Sequence, residues 1–224
     1  MFSVSENWRK TYPGAVAGVL VIYDATNPDH HPVLERKKAL LEKELRSQYG
    51  KLDRRELLNL SPFPAYSDYY KRFKKTYHVF LQFESVVKKG KSIPSVAALV
   101  EAMFMAELKN CLLTAGHDLD KLQGEPSLEI ARGNEVFTTL QGQEKTLKAE
   151  DMYIHDEVGV ISSVIYGPDQ RTQISKDTQK AIFTVYGPPG VNEQAVQNHL
   201  EEIRENILLF ADQSRTEFLR VFNA

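Results

Sequence analysis

The residue types best suited to chemistry lie in the segment 114–122 (TAGHDLDKL), which contains an imidazole, two carboxylates and a glycine. His117 and Asp118 could orient or activate a water molecule, because both side chains can accept and donate protons. A simpler interpretation is that Gly116 ends a helix in the left-handed conformation, while Asp118 and Asp120 cap the elements that follow. The sequence alone leaves both interpretations open.

A divalent metal ion held by His117, Asp118 and Asp120 is a third interpretation of this segment. These side chains are almost consecutive, whereas a closed metal site usually draws its ligands from more distant segments. A second motif, residues 187–193 (GPPGVNE), opens like a phosphate-binding loop but lacks the lysine and the hydroxyl residue that contact phosphates and Mg²⁺. We therefore expect no ATP hydrolysis, no metal ion and no other cofactor.

Another polar cluster, residues 166–172 (YGPDQRT), follows the strongest predicted strand. It combines a turn with the carboxylate of Asp169, the hydroxyl of Thr172 and the guanidinium of Arg171, which can bind an anion. The alternative interpretation is a surface turn whose polar side chains serve only the turn itself.

A helix is expected to position the first cluster. Apolar residues recur at three- and four-residue steps from about residue 94 to about residue 113, which predicts an amphipathic helix. Glu107 and Asn110 lie near its downstream end, within about one turn of the polar segment that follows. They are therefore expected to share a site with His117 and Asp118.

The rest of the chain shows helical periodicity first and short alternating runs later. Alternating runs separated by turn residues are typical of an antiparallel sheet. A helical pattern returns after Asn192, and His199 is expected on its outer face. The order of these elements predicts an α+β fold. Further predicted helices span residues 31–49 and 66–75, and predicted strands span residues 15–23, 76–87, 127–131, 135–140, 152–155, 158–166 and 180–186.

Composition excludes several classes of protein. The 224 residues include 42% hydrophobic and 26% charged residues, which is ordinary for a globular protein, so we expect one unit spanning residues 1–224. The longest apolar run, residues 15–23, is too short to cross a bilayer, and no membrane partner is expected. Cys111 is the only cysteine and no secretion signal is found, which favours the cytoplasm. A net charge of −2 excludes a protein that coats nucleic acid by bulk charge alone.

Residues 66–91 nevertheless form a local basic segment, with seven Lys and Arg residues against two acidic ones. Aromatic residues are interleaved with these cations, a combination that a single-stranded RNA end would require for stacking and phosphate contacts. The alternative is that the aromatic rings belong to the core and the lysines form a solvated face. The cations expected to contact phosphates are Lys71, Arg72, Lys74 and Lys75.

In order and spacing, these features resemble the B3/B4 domain of the bacterial phenylalanyl-tRNA synthetase β subunit, and more closely the free-standing proteins built from that domain alone. The resemblance is strongest over residues 66–190, preceded by an N-terminal strand and helix in residues 1–65 and followed by a C-terminal helical layer in residues 191–224. It depends on residues 70–75 (YKRFKK), 93–95 (IPS), Glu107, Asn110, 116–122 (GHDLDKL), 151–156 (DMYIHD), 169–172 (DQRT) and 177–178 (DT).

This resemblance implies a mainly antiparallel, sandwich-like sheet flanked by helices, with a pocket between sheet and helix. In the synthetase the domain hydrolyses the ester of tyrosine wrongly attached to tRNA, so the implied partner here is the aminoacylated 3′ end of a tRNA. Ligation of amino acids is not expected, because no synthetase catalytic module is present. The implied catalytic residues are His117, Asp118 and Asp169, and the implied substrate-binding residues are Glu107, Asn110, Tyr166, Arg171 and Thr172.

One departure from the family pattern supports an alternative. Ala115 stands where the synthetase domain has a histidine, so the chain could be an inactive module that binds RNA or an amino-acid-like ligand. For the hydrolase hypothesis, we expect the imidazole of His117 and the carboxylate of Asp169 to face one shared cavity.

Overall fold

Two β-sheets form the centre of the computed structural model, which describes residues 2–224. The four-stranded sheet has the order β11-β2-β10-β3, the five-stranded sheet has the order β1-β4-β7-β8-β9, and β5 and β6 form a separate hairpin. The strands are β1 Ser3–Val4, β2 Val16–Tyr23, β3 Thr114–Asp118, β4 Ser127–Ile130, β5 Val136–Thr138, β6 Glu144–Thr146, β7 Met152–His155, β8 Val160–Ser163, β9 Gly167–Pro168, β10 Ala181–Gly187 and β11 Arg215–Asn223.

Helices precede and follow the strand-rich part of the chain. In the described residues they are α1 Glu6–Thr11, α2 Pro32–Tyr49, α3 Arg54–Leu58, α4 Phe63–Arg72, α5 His78–Lys89, α6 Ala98–Asn110 and α7 Glu193–Leu208, with a short 3₁₀ helix at Leu119–Lys121. No helix within residues 2–224 is long and apolar enough to cross a bilayer.

Strand pairing is antiparallel throughout the four-stranded sheet. In the five-stranded sheet only the pair β1 and β4 is parallel. Strand β3 is at the edge of the four-stranded sheet, where Ile182 of β10 pairs with His117. The predicted α+β fold with a mainly antiparallel sheet flanked by helices is therefore confirmed.

Helix α7 packs directly on strand β2 of the four-stranded sheet. A Cβ atom added at Gly18 would lie 2.5 Å from Val196 Cγ1 and 3.1 Å from Leu200 Cδ1, so this approach requires the absence of a side chain. Val196, Leu200, Ile203 and Ile207 are fully buried, as expected for the apolar side of an amphipathic helix. The same helix contacts α6, which positions α6 beside β3.

Three predictions about local structure are wrong. A strand is predicted at residues 76–87, but His78–Lys89 forms helix α5, because Val79, Phe80 and Phe83 recur at helical spacing and are buried in the core. Helix α6 is shorter than predicted and ends at Cys111, which adopts the left-handed conformation (φ 58°), so Gly116 is not the residue that ends it. Beyond α7, the C-terminal layer contains the strand β11 and is not purely helical.

Candidate functional site

His117 lies at the centre of a closed polar network between the two large sheets. Its Nδ1 atom is 2.8 Å from Thr172 Oγ1, and its Nε2 atom is 3.3 Å from Ser162 Oγ. Ser162 also shares a short hydrogen bond with the hydroxyl of Tyr186, and the Thr172 hydroxyl donates a short one to Asp169. A five-residue chain of hydrogen bonds therefore connects β10, β8, β3 and the turn after β9.

The direction of these hydrogen bonds is set by Asp169. Because the Thr172 hydroxyl donates its proton to this carboxylate, Thr172 Oγ1 can only accept from His117, which requires a proton on Nδ1. Nε2 of His117 then accepts from the Ser162 hydroxyl. Burial, with a further effect of Arg171, lowers the pKa of His117 to about 3, so the imidazole is neutral at physiological pH.

The other polar residues of the two sequence motifs also have partners within the protein. Asp118 accepts from the backbone N–H of Asp120 and from the hydroxyl of Thr178, which confirms its capping role. Arg171 binds the carboxylate of Asp156 through two hydrogen bonds of 2.9 Å each. The guanidinium therefore stabilises the loop through contacts inside the protein.

A cleft of about 550 Å³ opens along the free edge of β3, between this strand and helices α5 and α6. One wall is the C-terminal half of α6 with Met103 and Glu107, and the opposite wall includes residues 173–176. The tip of the β5–β6 hairpin, at Leu140 and Gln141, closes one end. This volume lies within the range of ~300–1,000 Å³ that is usual for ligand pockets.

Glu107 is the only carboxylic acid among the described residues that line this cleft. One of its oxygens accepts the backbone N–H of Thr114 at 2.9 Å. Burial raises the pKa of Glu107 to about 8, and the Thr114 hydrogen bond offsets part of that rise. At neutral pH the side chain is therefore mostly protonated and can donate a hydrogen bond to a ligand.

His199 supports this corner of the cleft from helix α7. Its Nε2 atom is 2.7 Å from Thr114 Oγ1, and its Nδ1 atom is 3.2 Å from the amide nitrogen of Asn110. The prediction that His199 lies on an outer helix face is wrong, because the side chain is fully buried. Its spacing from Val196 and Ile203 would have placed it on the buried side of the helix.

The structure divides the predicted site residues between the cleft and the buried network around His117. Glu107 lines the cleft. Asn110 contacts His199, which in turn contacts Thr114 on the cleft wall. The expectation that His117 and Asp169 face a shared cavity is wrong, because both are buried and Thr172 fills the space between them. Tyr166 packs against Phe137 under the β5–β6 hairpin, away from the cleft lining, and sequence reasoning missed His78 and Gln82, which do line the cleft.

The predicted phosphate-binding cations lie exposed at the end of α4. Lys71 pairs with Asp68 at 3.2 Å, and Arg72 pairs with Glu150 at 2.9 Å. Lys74 and Lys75 have no ion pair within the described part of the chain, so these two are free to contact an anion.

No group of three or more His, Cys, Asp or Glu side chains within residues 2–224 is arranged to hold a metal ion. Of the trio considered as metal ligands, His117 and Asp118 make the hydrogen bonds described above, and Asp120 accepts a hydrogen bond of 2.8 Å from Lys180 Nζ.

The fold is also found in a phenylalanyl-tRNA synthetase. The structure is similar to an N-terminal fragment of the phenylalanyl-tRNA synthetase β subunit from Pyrococcus horikoshii, with a TM-score of 0.50 and 11% sequence identity over 100% of this chain and 54% of that chain. At this identity the similarity concerns the fold alone.

Sequence comparison identifies the family. Phenylalanine–tRNA ligase β subunits from Fusobacterium nucleatum (35% identity over 68 residues) and Corynebacterium jeikeium (36% over 66 residues) are similar to 30% of this chain, which spans 8% of each relative. Residues 65–211 match the family described as the B3/4 domain. This match covers more than half of the chain, so the protein belongs to the B3/4 domain family.

Proposed function

We propose that this protein is an aminoacyl-tRNA hydrolase that removes a wrongly attached amino acid, with the aminoacylated 3′ end of the tRNA bound in the cleft. Its membership of the B3/4 domain family supports this choice of substrate. The observation that carries the proposal is the buried side chain of Glu107 on the cleft wall, where burial raises its pKa to about 8. The cytoplasm, where aminoacyl-tRNA is used, is the expected location.

The proposed reaction needs no protein nucleophile. A water molecule attacks the ester carbonyl carbon while Glu107, as a general acid, transfers its proton to the carbonyl oxygen, and Glu107 takes this proton back when the carbonyl forms again. The bond from this carbon to the ribose oxygen then breaks. The proton of the attacking water passes through the neighbouring ribose hydroxyl to the leaving oxygen, so the products are the free amino acid and tRNA.

The residues predicted to be catalytic have a positioning role in this proposal. His117 and Asp169 fix the turn that begins residues 169–176, and the backbone N–H of Asp118 donates to the carbonyl of Thr172 at 2.8 Å. This turn leads into residues 173–176, which line the cleft opposite Glu107. The network thereby sets the distance between the two walls.

The test is deacylation of a panel of mischarged tRNAs by the wild type and by Glu107→Gln. The amide cannot supply the acidic proton, so the rate should fall by about 10²- to 10⁴-fold, the usual contribution of a general acid. Because Glu107 has a pKa of about 8 and acts in its protonated form, the wild-type rate should decrease as pH rises through 8. The uncatalysed alkaline hydrolysis is subtracted at each pH.

Glu205→Gln on the exposed side of α7 is the matched control, since it makes the same chemical change outside the cleft lining. It should leave the rate unchanged. Wild-type protein that deacylates no tRNA in the panel, or a Glu107→Gln variant as active as the wild type, would contradict the proposal.

One observation favours a second candidate, a binding module without catalysis. His117 and Asp169, the two groups first expected to act on the substrate, have their hydrogen bonds satisfied inside the protein. In that case mischarged tRNA would bind without being hydrolysed, and Glu107→Gln would change the affinity alone.

A further inference from the structure

A second hollow continues the cleft along the helices. This groove, of about 290 Å³, lies between α5 and the α6 region, and its floor is formed by apolar side chains that include Leu81, Val86 and Leu108. Gln82 and Phe104 line both the groove and the cleft, so the two hollows meet at these side chains. A ligand bound beside Glu107 can therefore extend into the groove.

Helical geometry explains why Phe104 stands at the junction. Phe104 and Leu108 are one turn apart and face the groove, whereas Val100, Met103 and Glu107 face the cleft. Phe104 is half-exposed, and Gln82, across from it on α5, is exposed. The junction thus presents an aromatic ring and a free amide to a bound ligand.

Each end of the combined hollow has one exposed lysine, Lys176 in the cleft and Lys91 in the groove. The cleft also contains the carboxylic acid of Glu107, whereas no acidic side chain among the described residues lines the groove. Lys89 is exposed on the same stretch of chain as Lys91. An elongated ligand with a neutral acyl end and an anionic end matches this arrangement.

Two of the residues expected to bind the substrate, Arg171 and Thr172, have their partners inside the protein. Thr172 is fully buried, and Arg171 is bound to Asp156 and to the carbonyl of Lys121. The nucleotide must therefore be bound by other side chains.

We propose that the groove binds the 3′-terminal nucleoside of the RNA, with its base stacked on Phe104, its polar edge facing Gln82 and its phosphate beside Lys91. Aromatic side chains provide stacking surfaces for unpaired bases, and an amide can hydrogen-bond a base edge. This inference rests on the proposed function, because the 3′-terminal nucleoside is the part of the tRNA that carries the ester.

The test compares two stable ligands by calorimetry: tyrosinamide, and adenosine that carries tyrosine through an amide at its 3′ position. The nucleoside compound should bind the wild type at least ~10-fold more tightly than tyrosinamide, because stacking of one base contributes about 1–3 kcal/mol. Phe104→Leu keeps an apolar side chain without an aromatic face and should remove this difference. Phe104→Tyr keeps the ring and should retain it.

Two outcomes overturn the groove assignment. Equal affinities of the wild type for the two ligands, including no binding of either, would show that the nucleoside adds nothing. An equal loss for both ligands in Phe104→Leu would mean that the groove holds the amino acid side chain instead.

The deacylation assay separates this failure from failure of the hydrolase proposal. A wild type that deacylates tRNA but does not prefer the nucleoside compound would refute only the groove assignment. A wild type that prefers this compound through Phe104 but deacylates no tRNA would refute only the hydrolase.

Discussion

Two polar clusters of opposite character lie beside strand β3. One is a buried network in which His117, Thr172 and Asp169 each have a partner. The other lies at the open cleft, where Glu107 and Thr114 line the wall and His199 supports them from helix α7. The side chain of His117 points to Ser162 of the five-stranded sheet, whereas Glu107 accepts the backbone N–H of Thr114 at the start of β3.

The comparison shows that a group of ionisable residues is informative about function only when its environment is known. Burial lowers the pKa of both His117 and His199 to about 3, so neither imidazole carries charge at neutral pH. Burial raises the pKa of Glu107 to about 8, which places its proton exchange close to physiological pH. Of the three, Glu107 alone both lines the cleft and titrates near neutrality.

The largest effect should follow from breaking the closed network with His117→Ala. This change leaves the hydroxyls of Ser162 and Thr172 without a buried partner and creates a cavity, so the free energy of unfolding should fall by ~3–5 kcal/mol. Urea unfolding followed by circular dichroism measures it.

His155→Ala, at a half-buried histidine of β7, is the control and should cost less than ~1 kcal/mol. A His117→Ala variant of normal stability but without deacylation activity would contradict the structural role of His117, because His117 would then act in the reaction itself.

A smaller effect, on the reaction rate, is expected at His199. In His199→Gln the amide occupies the position of Nε2 and can still reach Thr114, whereas in His199→Asn it occupies the position of Nδ1 and can reach only Asn110. The kcat for deacylation should fall ~10-fold in His199→Asn and less than ~3-fold in His199→Gln.

Thermal melting of both variants distinguishes positioning from stability. Similar losses of Tm with different kcat values are expected. If the loss of kcat is proportional to the loss of Tm in both variants, His199 contributes to stability alone.

The smallest effect is expected for the cations at the end of α4. These surface residues allow the same comparison between side chains that have a partner inside the protein and side chains that have none among the described residues. The slope of log affinity for tRNA against log salt concentration is negative, and Lys74→Ala combined with Lys75→Ala should make it less steep by about 1.4, the value for two single-strand phosphate contacts. Lys71→Ala with Arg72→Ala is the matched pair. It should have a smaller effect, because these cations already pair with Asp68 and Glu150.

Fluorescence anisotropy with labelled tRNA over a salt series gives both slopes. If the two double variants change the slope equally, the ion pairs of Lys71 and Arg72 do not limit their contact with RNA.

Elements with strong local periodicity could be predicted from the sequence. Strand β2, helix α2 and helix α7 follow their apolar patterns, and Asn192 caps α7 as expected. Helix α5 was missed because its aromatic and β-branched residues favour a strand individually, while their spacing is helical. Composition and periodicity disagreed there, and periodicity gave the correct element.

The candidate site could be predicted only in part, because it depends on contacts between distant segments. The position of Glu107 near the end of α6 follows from helical spacing alone. Strand β3 contains Gly116 and Asp118, which do not favour strands, and it is extended because it pairs with β10. The separation of Glu107 from His117 by this strand therefore could not be read from their order in the chain.

The hairpin at the end of the cleft has a further consequence for selectivity. Phe137 and Leu147 belong to a small apolar cluster under β5 and β6 that is separate from the main core. Leu140 and Gln141 at the tip lie outside this cluster and outside the main core, so the tip can be lengthened or shortened without repacking either large sheet. The size of the ligand that the cleft admits is then adjustable at a single turn, while the stability of the molecule is determined elsewhere.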